Sequence, residues 1–203
     1  MFLFGACFAI LVVTNSIKVA TNMNDQHQYA ERKYDLLRQE SLSAALLSLP
    51  ATLRENIALT NINSATLAIA KNWEYDNRRS DSATWSWNEG IRKYSYRHPK
   101  RFELAIWYAN AMLCGLSIGK PTYSGDKLRL DVIESAPGVH PLKGQIVAIS
   151  VAAFSVYARA IGASQIRIMR PVNDTVTRYY QQFGFRLFKG KESNIPTHLW
   201  LDL

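Results

Sequence analysis

Cysteine is scarce in this chain: Cys7 and Cys114 are the only two among 203 residues. They make no C-x-x-C pair and no disulfide framework, which removes small disulfide scaffolds and thiolate zinc sites. A reducing compartment is the default, and no metal is expected. Long apolar runs are missing too. The longest, Met1 to Val13, has thirteen residues, where a membrane-spanning helix needs about 20. It contains no Lys or Arg, so the basic start of a secretion signal is absent, and Lys18-Val19-Ala20 is a poor cleavage site. Acidic residues run short: 16 Asp+Glu stand against 24 Lys+Arg, a net charge of +8. That excess suits a phosphate-rich ligand, a nucleic acid or an acidic surface, and equally solubility alone. No repeat, low-complexity tract or interdomain linker breaks the chain. What is present is ordinary globular composition, 48% apolar and 20% charged, in a length that suits one domain.

Residues 1–23 stand apart as an apolar extension, open to three readings: a packed strand or helix, a weak leader, or sequence upstream of a start at Met23. Residues 24–203 read as a single domain. Helical spacing of Ala30, Tyr34, Leu37, Leu42, Ala45, Leu46 and Leu49 predicts a helix over 26–49, ended by Pro50. A second helical zone is expected over 52–73, broken at Asn61–Ser64. Residues 74–101 turn polar and aromatic, with Trp85 and Trp87 and a basic cluster of Arg92, Lys93, Arg97, Lys100 and Arg101. Strands are expected over 102–108, 112–118 and 128–134, a helix over 144–161 closed by Gly162, and a strand over 165–169. A short helix capped by Asn173 and two closing strands complete an α/β pattern around a mixed sheet.

The C-terminal half resembles the GNAT acetyltransferase superfamily. The motif is Asn173-Asp174-Thr175-Val176-Thr177-Arg178-Tyr179-Tyr180-Gln181-Gln182-Phe183-Gly184-Phe185: an Asn, a Tyr seven residues on, and Gly-Phe four and five beyond it. The similarity covers about residues 100–203. It implies a mixed, mostly antiparallel central sheet flanked by helices, with a helical N-terminal region. It also implies an N-acyltransferase with acetyl-CoA as donor, a cytoplasmic setting and an amine acceptor. The acceptor is left open as a small molecule, a peptide or an aminoacyl-tRNA; no membrane partner is expected. The family's pyrophosphate loop, [RQ]-x-x-G-x-[GA], corresponds either to Lys143-Gly144-Gln145-Ile146-Val147-Ala148, with Ile146 where the middle Gly belongs, or, two residues earlier, to Pro141-Leu142-Lys143-Gly144-Gln145-Ile146, with Gly144 in the middle but Pro141 first and Ile146 last.

The resemblance assigns roles to these positions. Backbone N–H groups from Gly144 to Ala148 would take the pyrophosphate at a helix start, Lys143 adding a point charge. Ile133 and Ser135 would line the thioester slot, and Asn173 would either cap its helix or touch the cofactor arm. An alkyl ammonium is only about 0.04% deprotonated at pH 7, so a base helps, typically by about 10²–10⁴. Glu134 is the expected base, at the end of a strand with Leu130 and Val132 on its face; a structural ion pair is the competing reading. His140 is the rival base, on a loop that suggests exposure. Tyr180 is the expected acid, its hydroxyl bonding to the departing thiolate, though a core aromatic has the same spacing. Trp85 and Trp87 either line an acceptor pocket or pack. A non-catalytic or tRNA-directed protein binding nucleic acid through the 92–101 cluster is the second functional reading.

Overall fold

The computed structural model describes the backbone of residues 6–80, 83–190 and 196–203, and side chains from residue 25 onward. Helix α1 spans Ala6–Ser48, so the backbone of the apolar run from Ala6 is helical. The choice among its three readings rests on side chains outside the described residues. After α1 come α2 (Ala51–Arg54), β1 (Ile57–Thr60), α3 (Ser64–Trp73), α4 (Trp87–Arg97), β2 (Phe102–Tyr108), β3 (Met112–Pro121) and β4 (Lys127–Ser135). Helix α5 (Ile146–Ala160), β5 (Gln165–Met169), α6 (Asp174–Gln181), β6 (Arg186–Phe188) and β7 (His198–Asp202) follow.

The seven strands form one sheet in the order β1-β2-β3-β4-β5-β7-β6. Only β4 and β5 run parallel, which makes the sheet mostly antiparallel, as the resemblance implies. Each face carries its own core. On one face Phe102, Leu104, Ile106, Leu128 and Leu130 meet Leu42 and Ala45 of α1 and Ile149, Phe154 and Tyr157 of α5. On the other, Ala105, Leu116 and Ile118 meet Trp73 of α3 and Trp87 and Ile91 of α4. Period-two alternation along β2 splits its residues between these cores, so both faces are dry. The apolar fraction of the sequence goes into two layers of contact, each worth roughly 25 cal/mol per Å² removed from water.

Charge ties α1 to the sheet. Arg38 is fully buried and donates to Glu31 at 2.8 Å and to the Pro99 carbonyl at 3.0 Å. Arg101 bonds Glu103 at 2.9 Å and Glu31 at 2.9 Å. Arg101 is therefore buried and paired, and drops out of the basic surface cluster expected over 92–101.

Two elements differ from the sequence expectation. β1 lies inside the zone expected to be helical, its IALT run held by Tyr108 and its neighbours across the register. α4 occupies the polar aromatic stretch; Ser86 caps it by accepting from the Glu89 N–H. Asn63 likewise caps α3, which explains the polar break read at 61–64.

Candidate active site

The parallel register of β4 with β5 stops early. Lys127 to Leu130 pair with Gln165 to Ile168; beyond them β4 runs on to Ser135 against β3 alone, while β5 continues against β7. The strands part. Just past β5, Arg170 adopts φ +51, a left-handed turn that leads the chain away into Pro171 and α6. The parting opens two adjoining hollows. One of about 340 Å³ lies between Asp131–Glu134 and Ile168–Val172. The other, about 450 Å³, extends it toward Ser135, Lys143, Ile146 and Tyr179. Tyr180, Glu134, Ile133 and Val176 line both.

The local register decides what faces this cleft. A shift between Ile118 and Gly119 gives β4 an extra residue at Asp131. Gly119 is required there: a Cβ would sit 1.9 Å from the Arg129 carbonyl oxygen. The extra residue flips the strand, so Leu130 joins the α5-side core while Val132 packs on the α4 side. The sequence expectation put both on one face.

Glu134 points at the α3–α4 connection. Arg79 grips it with two parallel bonds, Nε to Oε1 at 2.7 Å and Nη2 to Oε2 at 2.9 Å. Trp87 Nε1 donates to Oε2 at 2.8 Å, and Arg79 Nη2 also reaches the Trp85 carbonyl at 2.6 Å. The two side chains are only 10% and 13% exposed. With three donors on two oxygens, this carboxylate is built as an anchor, and the expected role of free general base does not fit its geometry. Trp85 and Trp87 meet edge to face with centroids 6.3 Å apart. Trp87 is buried, and Trp85 forms part of the cleft wall.

Tyr180 sits on α6, packed edge-on to Phe185 at 5.8 Å and almost wholly buried. Its hydroxyl has no hydrogen-bond partner among the described residues. Burial raises its pKa, which keeps the phenol protonated as a donor. Asn173 caps α6 by accepting from the Val176 N–H at 2.9 Å, the capping alternative read for it.

The turn before α5 holds the other expected positions. Gly144 has φ +84, with open space where a Cβ would stand. α5 begins at Ile146 without a side-chain cap, so the first-turn N–H groups of Ile146, Val147 and Ala148 have no intrahelical partner. Ile146, in the place of the motif's middle glycine, is buried against Gly115, where an added Cβ would come within 2.7 Å of its Cγ2. The missing glycine of the loop is thus answered by a glycine on β3. Lys143, Ile146 and Val147 border the cleft, whereas Gly144, Gln145, Ala148 and Asn173 do not line it. Ser135 Oγ lies 2.8 Å from His140 Nε2. His140 is buried rather than exposed, because the turn folds back under the end of β4. Desolvation, and then the Lys143 ammonium, lower its pKa and keep it neutral. The sequence offered no sign of Arg79 or of the Ser135–His140 pair.

Among the described residues, no cluster of three His, Cys, Asp or Glu could hold a metal, and no helix is long and apolar enough to cross a membrane.

No family model matches the sequence, and no curated protein matches it. Solved structures do. The N-acetyltransferase PseH of Campylobacter jejuni superposes with a TM-score of 0.50 at 14% identity, covering 72% of this chain and 97% of its own. A spermidine N-acetyltransferase SpeG chimera from Vibrio cholerae and hSSAT gives 0.54 at 16% identity, covering 72% and 95%. A domain from Methanocaldococcus jannaschii gives 0.52 at 16% identity, covering 72% and 98%. The fold is that of the GNAT N-acetyltransferases, as the sequence motif implied. At such identities the likeness speaks for architecture, and activity has to be argued from the cleft.

Proposed function

We propose that this protein transfers an acyl group from acyl-CoA, with acetyl-CoA as the expected donor, to an amine by direct attack. The observation that carries this reading is the open parting of β4 from β5 with the unpartnered Tyr180 hydroxyl in its wall. The residues fit the donor. Lys143 and the first-turn N–H groups of Ile146 and Val147 would hold a pyrophosphate, and Ile133 and Val176 provide apolar walls for the pantetheine arm.

The amine attacks the thioester carbonyl carbon, the C–S bond breaks, and the amine's proton leaves. Ser135 and neutral His140 are assigned to receive that proton: Ser135 Oγ takes it while passing its own to His140 Nε2. Tyr180 donates a hydrogen bond to the sulfur as charge develops. For the unperturbed groups in water, a phenol of pKa about 10 and a thiolate of about 8.5, full proton transfer is uphill by roughly 2 kcal/mol, and burial raises the Tyr180 phenol further, so the hydrogen bond is the larger contribution. Glu134 and Arg79 hold the α3–α4 connection against the cleft.

Two measurements test the reading. Acetyl-CoA at 100 times its dissociation constant should stabilise the fold by about 2.7 kcal/mol over buffer. Tyr180→Phe should lower turnover by about 10²-fold with donor affinity nearly unchanged. No thermal shift at millimolar acetyl-CoA would sink the proposal, and unchanged turnover in Tyr180→Phe would remove the acid assignment.

A further inference from the structure

A second cavity, about 640 Å³, lies toward the opposite end of β4. Its walls come from the end of α4 with the following turn, and from the β3–β4 hairpin. They carry Arg97, His98, Lys100, Lys120 and Arg129, and no Asp or Glu among the described lining residues. Arg129 stands two positions before Asp131, where the acyl-transfer cleft begins, yet the two cavities share no lining residue, so this is a separate site on the same strand.

The cations here outnumber the carboxylates near them; Asp126, at the hairpin tip, is paired with Lys127. Asp131 is the nearest carboxylate in their bonding: its Oδ1 lies 2.7 Å from Arg129 Nη2 without a hydrogen bond, and its Oδ2 accepts from the Tyr94 hydroxyl at 2.7 Å. Arg129 Nε is buried with no partner among the described residues. Lys120 Nζ has settled for the ring nitrogen of His98, 2.6 Å away. Like charges gathered without an anion are unfavourable, and their placement is explained by one that arrives from outside. At the hairpin tip Tyr123 is fully exposed, an aromatic face with nothing packed on it.

We propose that this cavity binds a nucleoside phosphate, its phosphates met by Arg97, Lys100, Lys120 and Arg129 and its base by Tyr123. The volume falls within the roughly 300–1,000 Å³ of small-ligand sites. Two short wall segments suit one compact ligand better than the long track a nucleic-acid strand needs. The surroundings of His98 agree. Desolvation and the Lys120 ammonium lower its pKa, joined by Arg97 and Arg129 and opposed by Asp131. Desolvation likewise lowers Lys120. A bound phosphate relieves both. The proposal stands apart from the acyl-transfer reading.

Titration calorimetry on the full chain tests it, with ATP, tripolyphosphate, adenosine and a single-stranded RNA as probes. ATP and tripolyphosphate should bind, and adenosine should not. Arg97 and Lys100 are exposed, so Arg97→Gln/Lys100→Gln should keep the melting temperature and lose about tenfold or more in ATP affinity. Arg92→Gln/Lys93→Gln removes the same charge from exposed positions of α4 outside the cavity and should leave ATP affinity within about twofold. Equal losses in both variants would reduce the effect to net charge and overturn the site. ATP binding that survives Arg97→Gln/Lys100→Gln would put the nucleotide in the acyl-transfer cleft instead. RNA binding without ATP binding would replace the proposal with a nucleic-acid surface.

Discussion

One strand carries two opposite electrostatic designs. At its C-terminal end β4 offers Glu134 to Arg79 and Trp87, and that carboxylate is fully matched. At its N-terminal end the same strand gives Arg129 to a cavity where it stands with Arg97, Lys100 and Lys120, and no Asp or Glu is among the described lining residues. The contrast separates two uses of charge. A matched, buried, bidentate pair fixes backbone geometry; it joins the α3–α4 connection to the sheet and so shapes a cleft. An unmatched cluster near solvent costs the folded state some repulsion and holds interaction energy in reserve for a ligand.

The sharpest break of that comparison is at the matched end. Glu134→Leu leaves the Arg79 guanidinium, 13% exposed, without its partner. It should cost about 3–5 kcal/mol of stability in a denaturant titration. Arg79→Met/Glu134→Leu removes both charges and should recover most of that loss, because a dry apolar pair of similar volume replaces the ions. If Glu134 were instead the reaction's base, Arg79→Met/Glu134→Leu would abolish turnover even where stability is recovered. The unmatched end should answer in the opposite sense: removing cations there leaves stability unchanged or slightly raised and costs only ligand binding.

Much of this was readable before the fold was known, and the unread parts share a cause. β2 to β5 and α5 announce themselves through local pattern: alternation, apolar runs, a glycine after the last turn. Tyr180 was found through a short, contiguous motif. β1 was missed because four residues, IALT, carry no period that separates strand from helix. Its identity comes from pairing with β2, some fifty residues away. For Glu134 the sequence left base and ion pair both open, and the partner that forms the pair could not be read, since Arg79 lies 55 positions away in a polar stretch with no repeat. The basic cluster was half visible. Sequence adjacency grouped Arg97 and Lys100 with Arg101, which is buried against Glu31 and Glu103. It had no means of adding Lys120 from β3 and Arg129 from β4. Contacts set by long-range register lie beyond any local window.

Both ends of β4 also shelter a histidine whose pKa is lowered first by desolvation and then by a neighbouring lysine: His140 beside Lys143, His98 beside Lys120. Unfolded, each returns to about 6.5. Below that value the unfolded chain binds more protons than the native one. Stability is therefore full above about pH 6.5 and falls as the solution is acidified through it. Melting temperatures at about pH 7.5, 6.5 and 5.5 should decline, with the slope reduced in His140→Asn and in His98→Asn. Tripolyphosphate should soften only the His98 share if the cavity holds anions, which turns the pH profile into a second comparison of the two ends. A flat profile would mean that neither imidazole is held neutral.

The smallest effect is expected between adjacent tyrosines on α6. Tyr179 donates its hydroxyl to the Gly144 carbonyl at 3.0 Å, linking α6 to the turn that precedes α5. Tyr180 donates to no described residue and lines both hollows of the cleft. An exposed neutral hydrogen bond contributes about 0.5–1.5 kcal/mol net, so Tyr179→Phe should lower stability by about 1 kcal/mol or less. Its larger consequence concerns the turn. Gly144 sits at φ +84, and one anchor on its carbonyl restricts a backbone that glycine leaves free. Loosening it should weaken acetyl-CoA binding a few-fold, about 0.5–1 kcal/mol, with turnover at saturating donor retained. Tyr180→Phe should do the reverse. Equal losses of turnover in the two variants would mean that neighbouring hydroxyls share one task, and the separation between a residue that shapes the cleft and one that acts inside it would fail at its closest test.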